Sequence, residues 1–278
     1  MRFMEKNFAI GVLDSGVGGL TVAKEIMRQL PKETIYYFGD TNRCPYGPRS
    51  KAEVQQFTLE IVEFLMQFPL KAIVIACNTA SAAALEEVQK KISIPVIGVI
   101  GPGSRAALKV SKQNHITVIG TKGTIASHSY RNTLKMIQPN VQVYELACPT
   151  LASLVENHLH ETQLVKEEVT KALLPLKGIS YDTLVLGCTH YPHLEKVISS
   201  ILDDTIHIIS SSEETAIELS AILQHQNLLA DTNFLPQHRF FTTGEPHIFE
   251  NIASAWLECS IRAEHVNLEK SLLHTIHS

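Results

Sequence analysis

No stretch of the chain approaches the roughly 20 consecutive apolar residues that a membrane-spanning helix needs. The opening MRFMEKNFAIGVLDSGVGG breaks its short apolar run at Asp14, so it reads as a first strand rather than a secretory signal. Basic charge is not in excess: 24 Lys and Arg against 28 Asp and Glu give a net charge of −4. A protein that chiefly binds nucleic acid presents a basic face to phosphates, so no nucleic-acid partner is expected, nor a membrane. No Cys-x-x-Cys pair occurs among the five widely spaced cysteines, Cys44, Cys77, Cys148, Cys188 and Cys259. That argues against a disulfide framework or a ribbon-type zinc site and fits a reducing cytoplasm. LDSGVGGLT (13–21) carries Gly-x-Gly-Gly in place of the Gly-x-Gly-x-x-Gly fingerprint, so a nicotinamide cofactor has little support. No low-complexity linker divides the chain.

What is present is an alternating grammar. Apolar residues make up 45% of 278, enough for a sizeable core, and the length suggests two domains at about 150 residues each. Short β-branched runs at 8–13, 34–39, 72–76, 95–100, 116–120, 141–146, 182–187 and 206–210 read as strands. Helical segments separate most of them: about 18–30, 50–66, the alanine-rich run from Ser81, 104–111, 121–137, 193–202 and the stretch after Glu214. Gly101-Pro102-Gly103 reads as loop, and HRFFTT (238–243) and AEHVNL (263–268) as late additions to a sheet. Strand–helix alternation predicts an α/β protein with mainly parallel sheets. Crossovers near Val99 and Ser210 would give a discontinuous first domain, 1–98 plus 210–278, and a second domain, 99–209.

IVIACNTA (73–80) and LVLGCTHY (184–191) form a weak internal repeat: β-branched strand, small residue, Cys, then Thr within two positions. Each cysteine stands at the carboxyl end of an expected strand, where parallel α/β sheets place ligands. A following helix N-terminus would lower the thiol pKa and offer amides to a carboxylate. Cys44, in a polar loop, Cys148 and Cys259 do not repeat this corner. At the tip of the first strand, Asp14 suits an ammonium group or assists a thiol, and Ser15 a small anion; both also suit a helix N-cap. In CTHYPH (188–193), Cys188, His190 and His193 admit a metal reading, although the spacing matches no common zinc pattern. Without metal, His190 is a proton partner for Cys188. Glu156 is the carboxylate to set beside such a histidine, or else a solvated helix residue.

Two thiols facing one small substrate suggest a carbon centre inverted by removing a proton from one face and returning one at the other. A cofactor-independent racemase or epimerase is thus expected. Covalent catalysis by one cysteine, and a small-anion binding module without turnover, are the alternatives.

Taken together, IGVLDSGVGGLTV (10–22), YFGDTNRCPYGPRS (37–50), IACNTASAAAL (75–85), PVIGVI (95–100), GTKGTIASHSY (120–130) and LGCTHYPHL (186–194) resemble the glutamate racemases of the aspartate/glutamate racemase family. The resemblance implies two flavodoxin-like, doubly wound α/β domains with the active site between them. It implies Cys77 and Cys188 as the acid/base pair, the first acting on D-glutamate and the second on L-glutamate. It assigns substrate contacts to Asp14 and Ser15, Tyr46 and Gly47, Asn78 and Thr79, Thr121, and Thr189 and His190. Asp14 and His190 would also assist the thiols, with Glu156 behind His190. No cofactor or metal is implied; a cytoplasmic role supplying D-glutamate for peptidoglycan is. The sequence leaves the oligomeric state open, with a homodimer among the options.

Overall fold

Along the first strand, β1 (Ala9–Asp14), Ile10 and Val12 join one apolar cluster while Ala9 and Leu13 join another. That period of two, apolar on both sides, is the mark of a strand covered by helices on both faces. The computed structural model describes residues 5–156 and 163–269.

Within them, six strands form one sheet: β1, β2 (Ile35–Gly39), β3 (Leu70–Ile75), β4 (Val96–Gly98), β9 (Arg239–Thr242) and β10 (Ala263–His265), in the order β10-β9-β2-β1-β3-β4. Four more, β5 (His115–Gly120), β6 (Gln142–Ala147), β7 (Thr183–Gly187) and β8 (His207–Ser210), form a second sheet in the order β6-β5-β7-β8. Every pairing among the described residues is parallel. The four-strand core β2-β1-β3-β4 and the whole second sheet share one winding order, the flavodoxin-like one.

Helices cover the sheets because parallel strands need crossovers. In the first sheet these are α1 (Leu20–Gln29), α2 (Lys51–Leu65) and α3 (Asn78–Lys91), with α10 (Ser211–His225) and α11 (Pro246–Leu257) later in the chain. α2 starts at a capping box in which Ser50 and Glu53 satisfy each other's backbone N–H groups, ending the proline-rich loop 40–50 at a defined residue. α4 (Ile100–Val110) carries the chain from β4 to β5. The second sheet is covered by α5 (Lys122–Ala126), α6 (Ser129–Ile137), α7 (Thr150–Glu156), α8 (Gln163–Leu173) and α9 (Glu195–Ser199).

Three expectations need correction. The strand expected over 95–100 ends at Gly98, and Gly101-Pro102-Gly103 form the first turn of α4 rather than a loop. Pro102 is tolerated there because first-turn N–H groups have no intrahelical partner to lose. The single helix expected over 121–137 is two, broken at His128, whose left-handed backbone (φ 52°) cannot continue a right-handed helix. The helix expected over 193–202 is a 3-10 turn, Tyr191–Leu194, followed by the five-residue α9.

Candidate active site

In a doubly wound sheet, neighbouring strands whose crossovers leave in opposite directions open a crevice beyond their carboxyl ends. Here that point lies between β1 and β3 in one sheet and between β5 and β7 in the other. Asp14 and Ser15 follow β1, Cys77 follows β3, Thr121 follows β5, and Cys188 to His190 follow β7. The two crevices face each other, and hydrogen bonds join them. The Thr189 hydroxyl donates to Asp14 Oδ2 (3.2 Å), the Gly123 amide to the Gly47 carbonyl (2.9 Å), and the Tyr130 hydroxyl to Asn78 Oδ1 (2.7 Å). The Thr79 and Thr121 hydroxyls lie 2.8 Å apart.

Cys77 is the N-cap of α3: its sulfur accepts from the Ala80 amide at 3.4 Å and lies 3.7 Å from Ser15 Oγ. The helix terminus was expected to lower this thiol. Instead burial, with the Asp14 carboxylate beside it, pushes Cys77 up to about 12, and the Ala80 and Ser15 contacts only partly offset this. Desolvation of the thiolate wins because the side chain is almost wholly enclosed.

Cys188 differs. No long helix follows it, because the 3-10 turn with Pro192 intervenes. Its neighbour is His190, whose Nδ1 lies 3.7 Å from the sulfur. His190 Nε2 lies 3.1 Å from Glu156 Oε1, an ion-pair contact without hydrogen-bond alignment. Burial opposes a charged imidazole, yet Cys188 and Glu156 outweigh it and raise His190 to about 10. Glu156 is also half-buried, which works against its charge, but His190 and Cys44 hold it below the ordinary carboxylate range. Asp14 is fully enclosed: burial raises its carboxyl, and the His190 charge with amides of Gly16 and Gly19 pulls it partly back.

The signs give a pH prediction. His190 is raised on folding from 6.5 to about 10, so its stabilising contribution is complete below pH 6.5 and is lost as pH rises through 10. Glu156 runs the other way, contributing above 4.5 and losing its part as pH falls through its lowered folded value. The stability gap between the parent protein and His190→Asn, measured by denaturant unfolding, should therefore narrow steadily from pH 6.5 to pH 10. A constant gap would contradict it.

All the residues singled out from sequence lie around these crevices except the outer metal candidate. His193 packs against Trp256 of α11 with the rings tilted by 35°, centroids 3.9 Å apart. Among the described residues no three His, Cys, Asp or Glu side chains are grouped to hold a metal ion. Tyr46 is buried, and its hydroxyl donates to Asp40. Sequence reading passes over Tyr130, Thr124, Gly18 and Cys44. Tyr130 orients Asn78 from 52 residues away, a relation no spacing reveals. Cys44, which reads as an ordinary polar-loop cysteine, sits 3.3 Å from Glu156 Oε1.

A family profile described as Asp/Glu/Hydantoin racemase matches residues 10–216. The chain belongs to the aspartate/glutamate racemase family. A glutamate racemase of Listeria innocua is 52% identical over 263 residues, covering 94% of this chain and 99% of that one. The crystal structure of a glutamate racemase isoform from Bacillus anthracis superposes with a TM-score of 0.92 at 60% identity, covering 95% of this chain and 98% of that one. A Francisella tularensis glutamate racemase in complex with D-glutamate gives 0.89 at 37% identity, covering 95% and 99%. The family's racemase chemistry makes this chain an isomerase, and its α/β fold with two parallel sheets is that of these relatives. No helix among the described residues is long and apolar enough to cross a membrane.

Proposed function

We propose that the protein interconverts L-glutamate and D-glutamate by proton transfer between two thiols, without a cofactor. The observation that carries this reading is the pair of buried cysteines, 5% and 6% exposed, each following a strand at the switch point of a different sheet. Cys188 takes the α-proton from L-glutamate and Cys77 returns one at the opposite face; the reverse reaction exchanges the roles. Asp14 receives the substrate ammonium. That cation offsets the carboxylate which helps keep Cys77 protonated, so binding brings the thiol toward its working range. A cationic His190, 3.7 Å from Cys188 Sγ, stabilises negative charge on that sulfur. Asn78 Nδ2 is a buried donor without a partner among the described residues, suited to a substrate carboxylate. Ser15, Tyr46 and Gly47, Thr79, Thr121 and Thr189 complete the shell. Such enclosed, fixed donors stabilise a developing carbanion better than water does.

The same reading divides the chain into lobes 1–98 with 210–278, and 99–209, and makes the protein a cytoplasmic source of D-glutamate for peptidoglycan. The test is L-glutamate in heavy water with chelator-treated protein. Deuterium should enter the α-position as optical rotation decays, and aspartate should turn over far more slowly. Activity lost on chelation and restored by zinc would overturn the two-thiol mechanism. No α-exchange at all would leave the small-anion binding alternative.

A further inference from the structure

One oxygen of Glu156 receives two partners. Cys44 Sγ lies 3.3 Å from Glu156 Oε1, and His190 Nε2 lies 3.1 Å from that same atom. His190 Nδ1 in turn lies 3.7 Å from Cys188 Sγ. Four side chains thus form a line from Cys44 to Cys188. Its outer end comes from the loop after β2, in the first sheet, while Glu156 ends α7, beside the second sheet. Gly16 makes room for the thiol: a Cβ there would stand 3.1 Å from Cys44 Sγ. Burial raises Cys44, and the Glu156 and Asp14 carboxylates add to it, so the sulfur keeps its proton. A protonated thiol against a carboxylate can only donate.

We propose that Cys44 is a positioning residue whose S–H holds the Glu156 carboxylate on His190, and through it fixes the imidazole at Cys188. It does not touch the substrate. The inference rests on the roles given above to His190 and Cys188, and it adds a residue from the other sheet's loop to their support.

The test compares Cys44→Ala, which deletes the donor, with Cys44→Ser, which keeps one. Cys44→Ala should lower kcat about tenfold with KM within about twofold, and Cys44→Ser should recover to within about threefold of the parent. The effect should be one-sided. In Cys44→Ala the primary isotope effect should rise for α-deuterated L-glutamate, the isomer Cys188 deprotonates, and should fall, not rise, for α-deuterated D-glutamate. Alanine matching the parent overturns the proposal, as does serine no better than alanine, or an isotope effect rising equally for both isomers. A parent enzyme that exchanges no α-proton overturns the functional reading and this inference with it. An infrared readout on folded protein is independent of the alanine variant. The parent minus Cys44→Ser difference spectrum should show an S–H stretch displaced by hydrogen bonding, and a free-thiol band would overturn the proposal.

Discussion

Cys77→Ser and Cys188→Ser should each reduce racemisation by about a thousandfold or more, because an alkoxide is far harder to form near neutral pH than a thiolate. Each variant still carries one thiol on one face. A glutamate analogue with a leaving group on its β-carbon needs only that one face. The remaining thiolate removes the α-proton, the electron pair expels the leaving group as an anion, and no proton returns to the α-carbon. Cys188→Ser, keeping Cys77, should eliminate from the D-isomer, and Cys77→Ser from the L-isomer. Measuring elimination rates for both isomers with both variants decides the matter. A shared preference would mean that the thiols do not divide the faces, and a single-base or covalent mechanism would replace this one.

Gly18→Ala should cost about a hundredfold in kcat/KM while leaving the protein folded. Gly18 lies in the turn between β1 and α1. A Cβ there would stand 2.6 Å from His190 Cε1 and 2.7 Å from Nδ1, and would also press on the Thr189 hydroxyl. These atoms belong to the residues that bond Asp14 and Cys188. Relief requires the two turns to separate by roughly an ångström, and such misplacement of reacting groups carries about that penalty. Steady-state kinetics beside a thermal unfolding curve distinguishes lost alignment from lost fold. An alanine variant within twofold of the parent would show that the turns tolerate the extra methyl.

The parts of the site that sequence makes legible are those carried by local pattern. The runs ending at Cys77 and Cys188 are β-branched and end in small polar residues, so composition and spacing suffice to put both cysteines at strand ends. The helix after Cys188 is misread because a proline-containing apolar string resembles a helix until its 3-10 geometry is seen. The break at His128 leaves no trace in composition, since nothing in ASHSY demands a left-handed residue. The direction of the Cys77 shift is also beyond sequence. The helix amide is foreseeable, but the degree of enclosure that outweighs it depends on both sheets closing over the thiol. Glu156 stays between two readings in sequence, a carboxylate beside His190 or a solvated helix residue, because its role depends on which side chains meet its Oε1.

The winding order carries a cost during synthesis. The second sheet lies wholly within residues 115–210, so its strands can pair as soon as that stretch leaves the ribosome. The first sheet cannot finish so early. The outer edge of β2 waits for β9, and the Thr243 hydroxyl that donates to Asp40 is 203 residues further along the chain. At typical translation speeds that interval lasts on the order of ten to forty seconds. Throughout it, Tyr36 to Gly39 present unpaired backbone groups on an apolar strand, a template for pairing with another nascent chain. Slow non-local closure of this kind is a point at which a chaperone can act, at a stage when both thiols have already been synthesised but β2 still lacks its outer neighbour.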